Sequence, residues 1–142
     1  MPLLLEIVTP ERLAYKGEVD AVVLPGSEGE LGVLPHHAPL VSTLGAGELR
    51  LRMGTHEESF AIVGGFLQVL PDRVVVMAET ADMASEIDLE KAQDARRKAE
   101  QALESGFVEG ADLATARASL QAALIRIRVA ERRHREGPRR RG

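Results

Sequence analysis

From residue 3 to about residue 79, apolar side chains recur with a period of two. The clearest stretch is 47–53, where Leu49, Leu51 and Met53 alternate with Glu48, Arg50 and Arg52. Such alternation sends one face into a core and the other into water, as a half-buried antiparallel strand requires. Shorter segments of the same kind occupy 3–9, 18–24, 30–34, 40–44, 59–63, 66–70 and 73–78. Turn-forming residues separate them: Lys16-Gly17, Pro25-Gly26, Gly45-Ala46-Gly47, Met53-Gly54-Thr55, Gly64-Gly65 and Pro71-Asp72. Many short strands at such spacing predict an antiparallel β-sandwich or flattened barrel. Gly64-Gly65 interrupts the apolar run 60–69 and predicts a bulge or a close backbone approach.

At Ile87 the period changes to that of a helix. Asp88 is placed to cap a helix opening at Leu89, and no Gly or Pro follows until Gly106, where a left-handed cap suits glycine. Leu89, Ala92, Ala95, Ala99, Ala102 and Leu103 form one stripe of mostly small residues. A second helix is predicted over 112–135, with Leu113, Ala116, Leu120, Leu124 and Ile127 as its stripe. Two such helices joined by a short link make an antiparallel hairpin. Alanine contacts bury little area, so this hairpin should be stable but easily opened. The division expected is a sandwich over 1–86, a hairpin over 87–136 and a basic disordered tail over 137–142.

Charge sharpens that division. Residues 1–86 carry 13 acids against 5 bases, whereas 87–142 carry 9 acids against 13 bases. Six arginines crowd the last eleven residues, with no aromatic side chain among them for base stacking, so a nucleic-acid reading has charge alone behind it. The chain has no cysteine, which excludes disulfides, thiolate metal sites and a Cys nucleophile. No apolar run approaches the ~20 residues that span a bilayer, and no signal peptide is legible.

Candidate chemistry is sparse. No P-loop, GxGxxG or HExxH occurs, and Asp82 and Glu86 read as solvated carboxylates rather than a catalytic pair. His36 and His37 are adjacent but unsupported by a third metal ligand, so no metal or other cofactor is expected. The residues favour a binding or structural protein over an enzyme. Their most distinctive stretch is the corner after 29–34, where Pro35 and Pro39 fix a surface turn carrying His36, His37 and Ala38 before Leu40 restarts a strand. This is a rigid connection or a presented contact surface.

Taken in order, Pro25-Gly26, Gly29-Glu30-Leu31-Gly32-Val33-Leu34-Pro35, His37-Ala38-Pro39-Leu40, Gly64-Gly65-Phe66, Ala78-Glu79 and Ile87-Asp88 resemble the epsilon subunits of bacterial F-type ATP synthases, called delta in mitochondria. The resemblance runs from about residue 3 to 131. It implies a sandwich of about ten strands followed by a helical hairpin, a non-catalytic rotor subunit of the central stalk at the cytoplasmic face of the cell membrane. Its implied partners are the gamma subunit, the c-subunit ring and, through the helices, the alpha and beta subunits.

The resemblance also implies particular sites. The c ring would meet Glu28, Gly29, Glu30 and Leu31 together with His36, His37, Ala38, Pro39 and Leu40, the family histidine being His37 and many relatives having glycine at position 36. Arg126, Arg128, Arg132 and Arg133 would present a positive face to the beta subunit and restrain ATP hydrolysis. The ATP site of some relatives maps onto Ile87, Asp88, Lys91, Ala92 and Arg126, but Lys91 replaces an arginine and Ala122 stands where another arginine belongs. A lysine lacks the planar bidentate fork of arginine, so weak ATP binding or none is expected. The alternative reading is a free-standing sandwich adaptor whose basic tail binds RNA or an acidic membrane surface.

Overall fold

The computed structural model describes residues 3–105 and 113–136, with the side chains of 134–136 left aside. Eight strands come first: β1 (Leu3–Val8), β2 (Leu13–Val19), β3 (Ala21–Gly26), β4 (Gly29–Val33), β5 (Leu40–Thr43), β6 (Gly47–Met53), β7 (His56–Leu70) and β8 (Arg73–Met83). A single 3-10 turn at Ala84–Glu86 leads into α1 (Leu89–Ser105) and α2 (Leu113–Glu136). The sandwich followed by a two-helix hairpin is the architecture expected from the sequence. Among the described residues the strands number eight, where the resemblance implied about ten. The predicted segment 18–24 is split between β2 and β3, while 59–63 and 66–70 are one strand.

That fusion explains how the sheet closes into two layers. The strand order is β2-β1-β8-β7-β6-β3-β4, with β5 added to the second half of β7. β7 pairs with β6 through Ile62 and with β5 from Phe66 onward, so its halves belong to different layers. The inward residues of β7 accordingly change parity, from Phe60 and Ile62 to Leu67 and Val69. The change falls on Gly64 and Gly65, both at positive φ (65° and 114°). The β7–β8 register is the same on both sides of the glycines, so the predicted close backbone approach is present without a bulge. Strands that turn from one layer to the other at such a corner are a standard route to orthogonal packing.

One core fills the sandwich. It includes Leu3, Leu5 and Ile7 of β1, Val22 and Leu24 of β3, Leu49 and Leu51 of β6, and Val74 and Val76 of β8. No described residue of the helices belongs to it. Tyr15, the single tyrosine, packs edge-on against Phe60 with ring centroids 5.9 Å apart. Burial, and then the nearby Glu58 carboxylate, raise its phenol above the ordinary value of 10.0. The folded chain holds this proton more tightly than the unfolded chain, so the contribution to stability is intact below about pH 10 and is lost as pH rises through the folded midpoint. Absorbance titration of the phenolate should therefore give a midpoint above that of the unfolded chain, moving partway back in Glu58→Gln. An identical midpoint in folded and unfolded chains would contradict it.

The helices bury different residues from those that spacing suggests. On α1 Ala92 and Ala99 are buried, but Ala95 is exposed. On α2 the buried residues are Ala116, Ala123, Ile125, Ile127, Val129 and Ala130, whereas Leu113 and Leu124 are exposed and Leu120 half-buried. The reason is that α2 has two neighbours. It packs along α1, and Ile125 and Val129 pack on Ala61 and Ala84 of the sandwich side, with Ala46 and Ile87 alongside. The predicted helix link at 106–111, its Gly106 stop and the basic tail 137–142 lie outside the described residues.

Candidate docking surfaces

The proline corner is a tight turn. The His37 amide donates to the Leu34 carbonyl at 3.2 Å, closing four residues with Pro35 second and His36 third. His36 has φ 70°, the left-handed value that a type II turn demands of its third residue. Glycine occupies such a position freely, and a side chain there costs about 1–2 kcal/mol. The corner is therefore strained at His36 as well as stiffened by proline. Its anchor is the His36 amide, which donates to the Pro71 carbonyl at 2.8 Å in the β7–β8 turn.

The nine residues proposed for ring contact do not form one loop. Glu28 and Gly29 sit at the tip of the β3–β4 hairpin, whereas His36 to Pro39 follow the far end of β4. At about 3.3 Å per residue the five residues of β4 separate these ends by roughly 17 Å. Glu28, Gly29, Glu30, His36, Ala38 and Pro39 are exposed. His37 is half-buried, its Nδ1 2.7 Å from the Ala38 carbonyl oxygen. Leu31 and Leu40 turn partly inward against the core, and Glu30 is 3.4 Å from Arg50. The candidate surface is a strip along β4 and the following corner.

A second surface escaped the sequence reading. Phe66 is directly opposite Met77 on β8 and Thr43 on β5, and Met77 is opposite Val8 on β1. With Val41 two residues before Thr43, this row leaves large apolar groups in water: Val41 is 69% exposed, Phe66 54% and Met77 48%. Contiguous apolar surface of this kind marks an interaction site. The signal was present in the alternation itself, since Leu67 and Val69 inside require Phe66 and Gln68 outside. It was masked because 60–69 reads as one apolar run.

The hairpin is fastened to the sandwich by few groups. Arg126 Nε donates to Asp82 Oδ2 at 2.8 Å, and Arg132 Nη1 donates to Glu48 Oε2 at 2.5 Å, both pairs partly buried. Asp82 is thus an ion-pair partner, not the solvated carboxylate that its position near the junction suggested. Arg128 and Arg133 are exposed, so the four arginines do not share one face in this arrangement. The nucleotide-site candidates are also engaged elsewhere. Asp88 Oδ1 accepts from the Lys91 amide at 3.1 Å and so caps α1. Ala92 is buried and Ile87 rests on the Ile125–Val129 cluster, while Lys91 is exposed. Among the described residues no three metal-ligating side chains gather, and no helix is long and apolar enough to cross a membrane.

A β-sandwich with an exposed apolar row and a lightly fastened helical hairpin is the build of a docking subunit. Residues 2–84 match the family model for the ATP synthase delta/epsilon chain β-sandwich domain, and 85–131 match that for its long α-helix domain. The chain belongs to this family, as an epsilon subunit of ATP synthase and not one of its catalytic chains. It is 50% identical over 131 residues to the ATP synthase epsilon chain of Dehalococcoides mccartyi strain BAV1, covering 92% of this chain and 94% of that one. The epsilon chain of Herpetosiphon aurantiacus is 45% identical over 137 residues, covering 96% of this chain and all of the relative. Among solved structures, a chain of the Euglena gracilis mitochondrial ATP synthase, in an assembly of OSCP, F1 and c-ring, superposes with a TM-score of 0.73 at 25% identity over 87% of this chain and 78% of that one. A Tetrahymena thermophila central stalk and c-ring structure shares the fold, with a TM-score of 0.52 at 12% identity over 93% of this chain and 96% of that one. The RNA-binding adaptor reading has no support in these likenesses.

Proposed function

We propose that this chain couples rotation of the c ring to the catalytic head, working at the cytoplasmic face of the cell membrane as a peripheral part of the rotor. The sandwich seats on the c ring through the β4 strip and the His36–Pro39 corner, and it holds gamma through the row of Val41, Phe66 and Met77. The helices act on the alpha and beta subunits when they leave the sandwich. The observation that carries this reading is the lightness of the hairpin's attachment among the described residues: the ion pairs of Arg126 and Arg132 and a small apolar cluster around Ile125 and Val129. Arg126 and Arg132 are then released together with the helix, ready to join Arg128 and Arg133 against acidic partners.

The seat on the ring is tested by replacing the exposed His36 and Ala38 with Asp in the assembled complex. Proton-driven ATP synthesis in membrane vesicles should fall while circular dichroism of the subunit stays native. Unchanged synthesis would remove the strip from the coupling path. For nucleotide, the reading is that the chain binds ATP weakly or not at all, because Arg126 is held by Asp82 and Lys91 offers only a point charge. Calorimetry on the full chain decides this, and saturable one-to-one binding below about 1 mM ATP, a free energy beyond about −4 kcal/mol, would overturn it.

A further inference from the structure

Two leucines that spacing assigns to hairpin packing, Leu113 and Leu124, are exposed instead. Leu124, 45% exposed, is the centre of an outward face of α2 that also carries Arg117, Leu120, Arg128 and Glu131 and, with the buried Ile127, lines a shallow groove of about 610 Å³. Taking 100° per residue from Leu124, these side chains fall within about 60° on either side of it. Arg117, Leu124 and Arg128 on this face are exposed, and among the described residues Arg117, Arg128 and Glu131 make no ion pair.

The order of charges selects the occupant. Arg117 lies seven residues before Leu124 and Glu131 seven after it. When a second α2 is laid antiparallel across this face, with a two-fold axis through Leu124, each Arg117 comes level with Glu131 of the other copy. The same operation brings Leu124 against Leu124 and lets the aliphatic stem of Arg128 cover Leu120. A two-fold contact must be self-complementary, and this helix face is, in both its apolar centre and its opposite-charge ends.

We propose that the free subunit self-associates through this face, as a two-fold dimer of α2 helices in which Arg117 and Glu131 pair reciprocally. One helix face falls well short of the roughly 800 Å² per partner of a stable complex. The dimer is accordingly weak, with a dissociation constant on the order of 0.1 mM, and belongs to the unassembled pool of the subunit.

Sedimentation of the full chain between about 10 µM and 1 mM tests it, with circular dichroism confirming that each variant is folded. The unmodified chain should pass from monomer to dimer. Arg117→Glu and Glu131→Arg should each weaken association at least tenfold, because each sets like charges opposite one another. An equimolar mixture of the two variants should restore it, since the heterodimer regains both pairs, and so should the double variant R117E/E131R alone. Leu124→Asp should abolish it. A chain that stays monomeric to 1 mM, or a dimer indifferent to both charge reversals, or single variants that their mixture fails to rescue, would overturn the proposal.

Discussion

Replacing Gly65 with alanine should leave no stably folded sandwich at ordinary temperature. A Cβ built there falls 2.0 Å from the Met77 carbonyl oxygen and 2.9 Å from the Ala78 Cα. Both obstacles are backbone, and they belong to the strand paired with Gly65 itself, so no side chain can swing aside. The φ of 114° adds a conformational penalty to the clash. The corner is also where β7 changes layers, so a shift there disturbs the parity of Leu67 and Val69 in the core. The expected loss exceeds about 4 kcal/mol, a large share of a small domain's stability. Gly54→Ala is the control. That glycine also has positive φ (62°), in the β6–β7 turn, but a Cβ there meets nothing within 4 Å. It should cost about 1–2 kcal/mol, the left-handed penalty alone. Thermal unfolding of both variants separates the effects, and similar midpoints would show that the corner relaxes.

Ending the chain before Asp88 should raise ATP hydrolysis by the assembled enzyme several-fold while leaving the sandwich folded and incorporated. The sandwich core contains no described helical residue, and the surface uncovered on its side is mainly Ala61 and Ala84. Little apolar area is exposed, so little stability is lost. The ion pairs given up, Asp82–Arg126 and Glu48–Arg132, are partly solvated and contribute about 0–1 kcal/mol each. They cannot hold the helices against a competing acidic surface unless the two act together. High salt should reproduce part of the truncation's effect, because it screens the arginines wherever they are engaged. Equal hydrolysis rates for full-length and truncated complexes at low proton-motive force would refute a restraining role for the hairpin.

How far the sequence speaks differs between the two halves. In the sandwich, alternation located most strands because each has one dry face, and Leu49 and Leu51 are buried as their spacing requires. It failed where a strand changes layer: one phase does not describe β7, whose inward residues shift from even to odd numbers at the glycines. In the helices the start of α1 at Leu89 is where the sequence places it, since Asp88 caps it and helix formers follow without a break. The buried face of α2 was misassigned because a helical stripe shows which residues share a side, not which of two neighbours lies there. Larger leucines drew the assignment, although alanine and valine fit the close contacts. The strip at the corner was legible from its prolines. Its left-handed His36 was legible only through the family resemblance, since histidine gives no local sign of positive φ. The carboxylates that receive Arg126 and Arg132 are 44 and 84 residues distant in sequence, beyond any local pattern.

The parallel pairing of β1 with β8 bears on the order in which the chain can fold as it is made. Leu4 is paired with Arg73 and Val8 with Met77, so the edge of the first strand finds its partner only when almost the whole sandwich has been synthesised. The neighbouring hairpins, β1 with β2 and β3 with β4, need only a few following residues and can form while the chain is still growing. Closing a loop of this span is the slow, entropically costly step of a β fold. Until it closes, β1 offers unpaired amides and carbonyls along one side, and the nascent chain is most open to wrong strand pairing in that interval.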